Sequence, residues 1–543
     1  MNALAPDRNP PRWSSAARAV LSPAGLSALV AVACYAVTLG GTFVYDDRTV
    51  VVDDPRVHAP GQWWRLFADY FMPPAVDRLY RPLTSLSYAV QWWVHGDWAA
   101  GYHAVNVALH AGVCGLVAVV AVRLAGSAVA GYVAGLLFAV HPVHAEVVAS
   151  IAFRTESLCA LFSLAALAVV LRPDLTRARA ALAVGLAAAA LLSKEQAVLL
   201  PPLLLLARWV RGQSVGGRGA GAERLLLAGC AWVPALYVLL REYFLRFRWE
   251  RVLLEPGINV VIDAGPGVGR VLLPLALLGR YTWLLLWPAR LSLDYGGTTV
   301  PTTVAWDDGF LWLGAATATL FVVASVVALR SGWRAVTFCL AGLAATYALP
   351  SNTFVLIGTH LAERLLYQPS AFLFLLIGLA VAAAWDARPA AHRRAMAGAF
   401  AVLLLALAAR AWTYAAEWSD ERAFLARSVE RQPTSVKLHV ALIDYHIRHA
   451  QADDAERVAV RLVDRLPQFF QSWGWAAQAA ALSGDAEATQ HRLTQAMRVA
   501  GRRYYGQVAD HAFVARDLLA STRARHPATA APVEAPSPTT GPR

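Results

Sequence analysis

The chain has 543 residues, 57% hydrophobic and 15% charged, with a formal charge of +12 and a mean hydropathy of +0.45. Soluble domains run at roughly 45–50% apolar and about 25% charged, and disordered chains are poorer still in apolar residues, so both classes are excluded. The apolar residues come in long blocks, the pattern of an integral membrane protein.

The basic excess does not call for nucleic acid as a partner. Arginines recur in short links between apolar blocks, where they report topology. Only two lysines occur, Lys194 and Lys437. The five cysteines, Cys34, Cys114, Cys159, Cys230 and Cys339, lie inside apolar blocks without a CxxC pair. They read as small buried hydrophobes, with neither a disulfide framework nor a zinc site.

Residues 1–18 are polar, with Arg8, Arg12 and Arg18, and an apolar run follows from Leu21 to Gly41. That run is too long for a signal-peptide core, so it is a retained first span with its basic flank in the cytoplasm. Residues 42–101 form an exterior loop, in which Gly61–Phe71 fits an amphipathic helix on the membrane surface. Further apolar blocks cover 102–123, 128–146, 151–171, 178–193, 196–210, 224–243, 308–330, 335–357, 365–385 and 395–412. The links at Arg123, Arg172–Arg179, Arg208–Arg224, Arg330–Arg334 and Asp386–Arg394 all fall inside if block 271–288 is re-entrant or interfacial. The fold expected is all-α, a polytopic helix bundle of about 11 spans over residues 1–415.

The character changes after Glu417. Pro433 and Pro467 are 34 residues apart, the period of a tetratricopeptide repeat. Helix pairs are expected at 436–449 with 455–466, and at 471–482 with 486–500. A small helical domain therefore occupies 416–520 on the exterior side, and the Pro-, Ala- and Thr-rich tail 521–543 is expected to be disordered.

Charged side chains at membrane boundaries are costly and point to function. Parity places Asp46, Asp47, Arg81, His141, His144, Glu146, Arg154, Lys194, Glu195, Glu363 and Arg364 on one face, from six separate segments. Asp46 and Asp47 follow the first span directly, where a carboxylate can act as general base. Arg81 precedes Pro82 at a helix start, a geometry that suits phosphate. His141, His144 and Glu146 have metal-like spacing, but no fourth ligand is evident and hydrogen bonding is the expected role. No cofactor is called for.

Taken in order, Asp46-Asp47, Tyr80-Arg81-Pro82-Leu83-Thr84, Gly101-Tyr102-His103-Ala104-Val105-Asn106, His141-Pro142-Val143-His144-Ala145-Glu146, Ser193-Lys194-Glu195-Gln196 and Glu363-Arg364-Leu365-Leu366-Tyr367-Gln368-Pro369-Ser370 resemble the transmembrane and tetratricopeptide-repeat-containing O-mannosyltransferases. These belong to the GT-C membrane glycosyltransferases. The resemblance implies inverting transfer of a sugar, mannose above others, from a polyprenyl-phosphate donor to a protein Ser/Thr hydroxyl outside the cytoplasm. The family's acidic pair maps onto Asp46 and Asp47.

On this reading Arg81, Arg154, Lys194 and Arg364 are the candidates for donor phosphate. Those for placing sugar or acceptor are His103, His141, His144, Glu146, Glu195, Glu363 and Tyr367. Partners are the lipid-linked sugar, membrane lipids and a protein or glycan acceptor. The expected location is the plasma membrane of a bacterium. Transfer to a glycolipid or cell-surface polysaccharide, and a lipid-linked sugar flippase or transporter, are the alternatives.

Overall fold

The computed structural model describes residues 19–72, 79–212, 220–245, 259–264, 267–296 and 299–525. Among these the secondary structure is helical, with no strand. The main helices are α1 (Pro23–Tyr35), α2 (Pro82–His95), α3 (Ala99–Ala125), α4 (Ala128–Val140), α5 (Arg154–Val170), α6 (Arg177–Ser193), α7 (Leu200–Val210) and α8 (Ala220–Phe244). There follow α9 (Gly269–Leu286), α10 (Gly309–Arg330), α11 (Arg334–Ala348), α12 (Tyr367–Asp386) and α13 (Ala390–Glu417). The C-terminal unit comprises α14 (Glu421–Arg431), α15 (Val436–Arg448), α16 (Ala452–Arg465), α17 (Phe470–Leu482), α18 (Ala486–Ala500) and α19 (Tyr505–Arg525).

Local chemistry sets these boundaries. Ser22 caps α1 through the amide of Gly25, with Pro23 in the first turn where its missing N–H costs nothing. Thr176, Asp308, Asp420, Ser435 and Asp485 cap α6, α10, α14, α15 and α18 in the same way. The apolar block over 128–146 is not one helix. Pro142 cannot continue the hydrogen-bond ladder, and Ala128–Val140 and Pro142–Ala149 meet at a bend of 55°. Helices α9 and α10 touch backbone to backbone. A Cβ on Gly279 would lie 1.9 Å from the carbonyl oxygen of Phe310, so only glycine fits there.

Seven helices among the described residues are long and apolar enough to cross a membrane, and eight if the bent pair is one span. The chain is therefore a multi-pass membrane protein. The expected eleven segments all contain helix. However, α5 and α6 have 17 residues each, α11 has 15 and α7 has 11, short of the length a spanning helix needs. Helix α9, at 18 residues, is itself long enough to cross. Yet both its ends meet segments of the polar face: Arg270 donates to Asn352 O at 2.6 Å, and Leu285 O meets His141 Nε2 at 3.0 Å.

The C-terminal helices occupy the positions expected from the 34-residue spacing. They sit on the same face as Asp46. Tyr45 N donates to Glu421 Oε1 at 3.2 Å, Thr299 Oγ1 to Gln432 Oε1 at 2.6 Å, and Ser435 Oγ to Asp294 Oδ2 at 2.6 Å. Helix α19 continues through Ser521 to Arg525, because its apolar side, with Ala515 and Leu519, packs on α17 and α18. Residues 521–525 thus correct the expectation of a tail starting at 521. Residues 526–543 and 1–18 lie outside the described residues.

Candidate functional site

The two adjacent carboxylates after α1 have different surroundings. Tyr45 takes a left-handed conformation, φ 56°, and turns the chain into a short helical segment. Asp47 is fully buried. Its Oδ2 accepts from Val44 N at 3.1 Å, and its Oδ1 from Ser150 Oγ at 2.8 Å and Ala152 N at 2.7 Å. Burial pushes its carboxyl up to about 7, against the pull of those hydrogen bonds. Asp47 therefore ties the first loop to the segment before α5. Asp46 is partly exposed, and its charge is felt by Arg364.

Arg364 stands at the centre of the face. Its backbone N donates to Glu146 Oε2 at 2.7 Å and its Nη1 pairs with Glu146 Oε1. The guanidinium lies over the ring of Phe153, 4.4 Å from its centre, and Nη2 reaches Thr359 Oγ1 at 3.3 Å. The neighbouring Glu363 is fully buried, and its Oε1 accepts from Ser292 N at 2.7 Å and Tyr295 OH at 2.6 Å. The Glu146–Arg364 pair thus locks the break after α4 to the start of α12.

A second group adjoins the first. Arg81 makes a bidentate pair with Glu195, 2.9 Å from Nε to Oε2 and 2.7 Å from Nη2 to Oε1. Its guanidinium also lies 5.3 Å from the ring centre of Phe71. Lys194 pairs with Glu156 and both are buried. Glu156 acts electrostatically on both Arg81 and Glu146, so the two groups share one field. Thr84 Oγ1 donates to Ser193 O at 3.0 Å and fixes α2 beside the tip between α6 and α7.

Arg154 is buried in a different way. Its Nε donates to Asn106 Oδ1 at 2.8 Å and its Nη2 to Tyr102 O at 3.1 Å, and the rings of Tyr88 and Tyr102 cover it. Among the described residues no carboxylate forms an ion pair with it. It acts as a joint between α2, α3 and α5.

The histidines spend their ring nitrogens largely on the fold. His103 Nε2 meets Thr42 O at 3.2 Å, and His141 Nε2 meets Leu285 O. His144 bridges Phe138 O at 2.8 Å and Ser370 Oγ at 2.9 Å. Tyr367 OH bonds His110 Nδ1 at 2.8 Å inside the bundle. The set Asp46, Glu146, Glu363 and Arg364 therefore comes together, with Arg81, Lys194 and Glu195 beside it. His141, His144 and Tyr367 lie behind it as supports. No group of three His, Cys, Asp or Glu among the described residues is arranged to hold a metal ion.

Sequence reasoning missed Ser292 and Tyr295, the partners of Glu363, and His110. The polar run Ser292-Leu293-Asp294-Tyr295 after an apolar block was the available signal for the first two. For His110, the signal was a histidine in the middle of an apolar helix.

No protein-family model and no solved structure matches the chain. Among curated proteins it is similar to a protein O-mannosyl-transferase of Caenorhabditis elegans, 26% identical over 427 residues, covering 75% of this chain and 57% of that protein. It is 26% identical over 484 residues to Protein O-mannosyl-transferase TMTC4 of Mus musculus, covering 79% and 64%. It is 31% identical over 296 residues to Protein O-mannosyl-transferase Tmtc2 of Drosophila melanogaster, covering 50% and 30%. The chain spans less than two thirds of the length of each. The printed names of these relatives are those of the family that the six sequence motifs resemble.

Proposed function

We propose that the chain is a membrane glycosyltransferase that moves mannose from a polyprenyl-phosphate donor to a protein Ser/Thr hydroxyl, with inversion. The reaction takes place on the exterior face, the one that carries Asp46 and the C-terminal helices. The observation that carries this reading is a partly exposed carboxylate, Asp46, within the field of Arg364, on a face that also carries Arg81 and Lys194.

Inverting transfer needs a base on the acceptor and charge stabilisation on the departing phosphate. Asp46 takes the hydroxyl proton, the acceptor oxygen bonds to the anomeric carbon, and the bond from that carbon to the phosphate oxygen breaks. The phosphate leaves with the electron pair. Asp47 has its oxygens occupied by three protein donors and holds the loop that carries Asp46.

The cations divide by availability. Arg364 and Arg81 are partly exposed and paired with Glu146 and Glu195. An arriving phosphate joins or displaces those carboxylates. Lys194 and Arg154 are deeper and supply field rather than direct contact. The experiment is transfer of radiolabelled mannose from polyprenyl-phosphate mannose by purified protein to a Ser/Thr-containing polypeptide. Loss of transfer in Asp46→Asn with donor still bound supports the assignment. Full transfer in that variant removes it.

A further inference from the structure

A cavity of about 580 Å³ lies at the seam between the membrane helices and the C-terminal unit. Its wall includes Arg280 of α9, Arg290 of the following loop, Arg410 of α13 and Arg431 of α14, with Trp283 and Phe310 between them. Among the described residues no carboxylate lines it.

The four arginines are not equivalent. Arg280 donates to Asp308 Oδ2 at 3.1 Å and to Thr299 O at 3.0 Å. Arg431 makes two bonds to Glu417, at 2.7 and 2.9 Å. Arg410 donates only to neutral oxygens, Ala289 O at 3.2 Å and Thr413 Oγ1 at 3.5 Å. Arg290 is exposed and has no carboxylate partner among the described residues. Arg290 and Arg410 therefore line the cavity with no ion-paired carboxylate among the described residues, and the nearest field on Arg410 is that of the buried Glu363; an anion with several oxygens suits such a pair of guanidiniums.

The rim states where such an anion would come from. Trp283 lines the cavity, and Leu286, Trp287, Trp306 and Trp312, close in the chain to the lining residues Leu284, Ala289 and Phe310, are exposed. Exposed tryptophans clustered on a multi-pass protein mark the level of the lipid headgroups. A basic cavity opening at that level meets headgroup phosphates before any soluble anion.

We propose that this cavity binds the phosphate of an anionic lipid, with Arg290 and Arg410 as its charge partners and the acyl or prenyl chain leaving past the tryptophan rim. The site is separate from the Arg364 centre but adjoins it, since Ser292 and Tyr295 line the cavity and also hold Glu363. The inference concerns binding alone and stands or falls apart from the transfer reaction.

The test uses the full chain in detergent with Ala289→Cys, an exposed lining position. The native cysteines at 34, 114, 159 and 339 are buried, and the partly exposed Cys230 is replaced by Ala in the labelled protein. Maleimide labelling is timed with polyprenyl phosphate, phosphatidylglycerol or inorganic phosphate. A lipid phosphate should slow labelling on the order of tenfold, and adding Arg290→Gln with Arg410→Gln should erase that protection. Protection by polyprenyl phosphate alone assigns the site to a carrier lipid, and protection by both lipids assigns it to headgroups in general. Inorganic phosphate protecting as well as either lipid, or unchanged labelling with every probe, would overturn the proposal. The single Ala289→Cys measurement remains decisive even if the double arginine variant fails to fold.

Discussion

Replacing Asp47 by Asn tests whether this carboxylate is a buried anchor. In the folded protein its carboxyl sits at about 7, against an ordinary value of 3.8, with burial as the leading cause. A folded-state value raised above the unfolded one gives a contribution present below about 4 and lost as pH rises through about 7. The gap corresponds to roughly 4 kcal/mol. Asparagine keeps one carbonyl oxygen for Ser150 Oγ and Ala152 N but turns an NH₂ toward Val44 N–H. That costs about 1–3 kcal/mol, independent of pH. The variant should therefore be the less stable protein near pH 4 and should close the gap, or overtake the parent, near pH 8. Apparent melting temperatures of detergent-purified protein across that range measure the difference. A constant difference, or one that widens as pH rises, would refute the reasoning, because the three donors would then be holding an ordinary carboxylate.

Three further outcomes follow from the geometry. Glu156→Gln leaves the Lys194 ammonium buried without its counter-charge and should cost about 3–5 kcal/mol, while Lys194→Met with Glu156→Leu should recover most of it; thermal melting of the parent and the two variants checks this. Arg81→Met and Arg364→Met should each weaken binding of polyprenyl-phosphate mannose by about tenfold or more, and unchanged donor binding in both would assign them to holding Glu195 and Glu146. Cysteines placed at the exposed positions Trp64 and Val499 should label from the same side of sealed vesicles, since Tyr45 contacts Glu421 and Thr299 contacts Gln432; labelling from opposite sides would contradict that packing.

The helices were legible because each signal is local. Apolar blocks act within a few turns, and the 34-residue spacing of Pro433 and Pro467 spans one helix pair. Pairing was not legible. That Glu146 meets Arg364 and Asp46 lies in the field of Arg364 depends on contacts between segments far apart in the chain. Nothing in the spacing of Lys194 and Glu195 says that one turns to Glu156 and its neighbour to Arg81, because those partners come from other helices. The difference between Asp46 and Asp47 arises from the left-handed turn at Tyr45 and the short helix after it, a local conformation with no signature in the pattern of residues. His141 and His144 looked like ligands by spacing. Pro142 has no N–H to reach Phe138 O, so His144 Nδ1 takes that carbonyl, while His141 Nε2 meets Leu285 O at the end of α9. The arginine-lined cavity draws on four segments spread from residue 280 to residue 431 and had no local signature.

The central claim is that Asp46 is the base for sugar transfer from a lipid phosphate. The most direct measurement compares turnover of polyprenyl-phosphate mannose by the parent and by Asp46→Asn, in purified protein shown to retain donor. Turnover reduced on the order of 100-fold or more is the predicted result, matching the contribution of a positioned general base. Turnover within a few-fold of the parent, with donor bound equally, would contradict it.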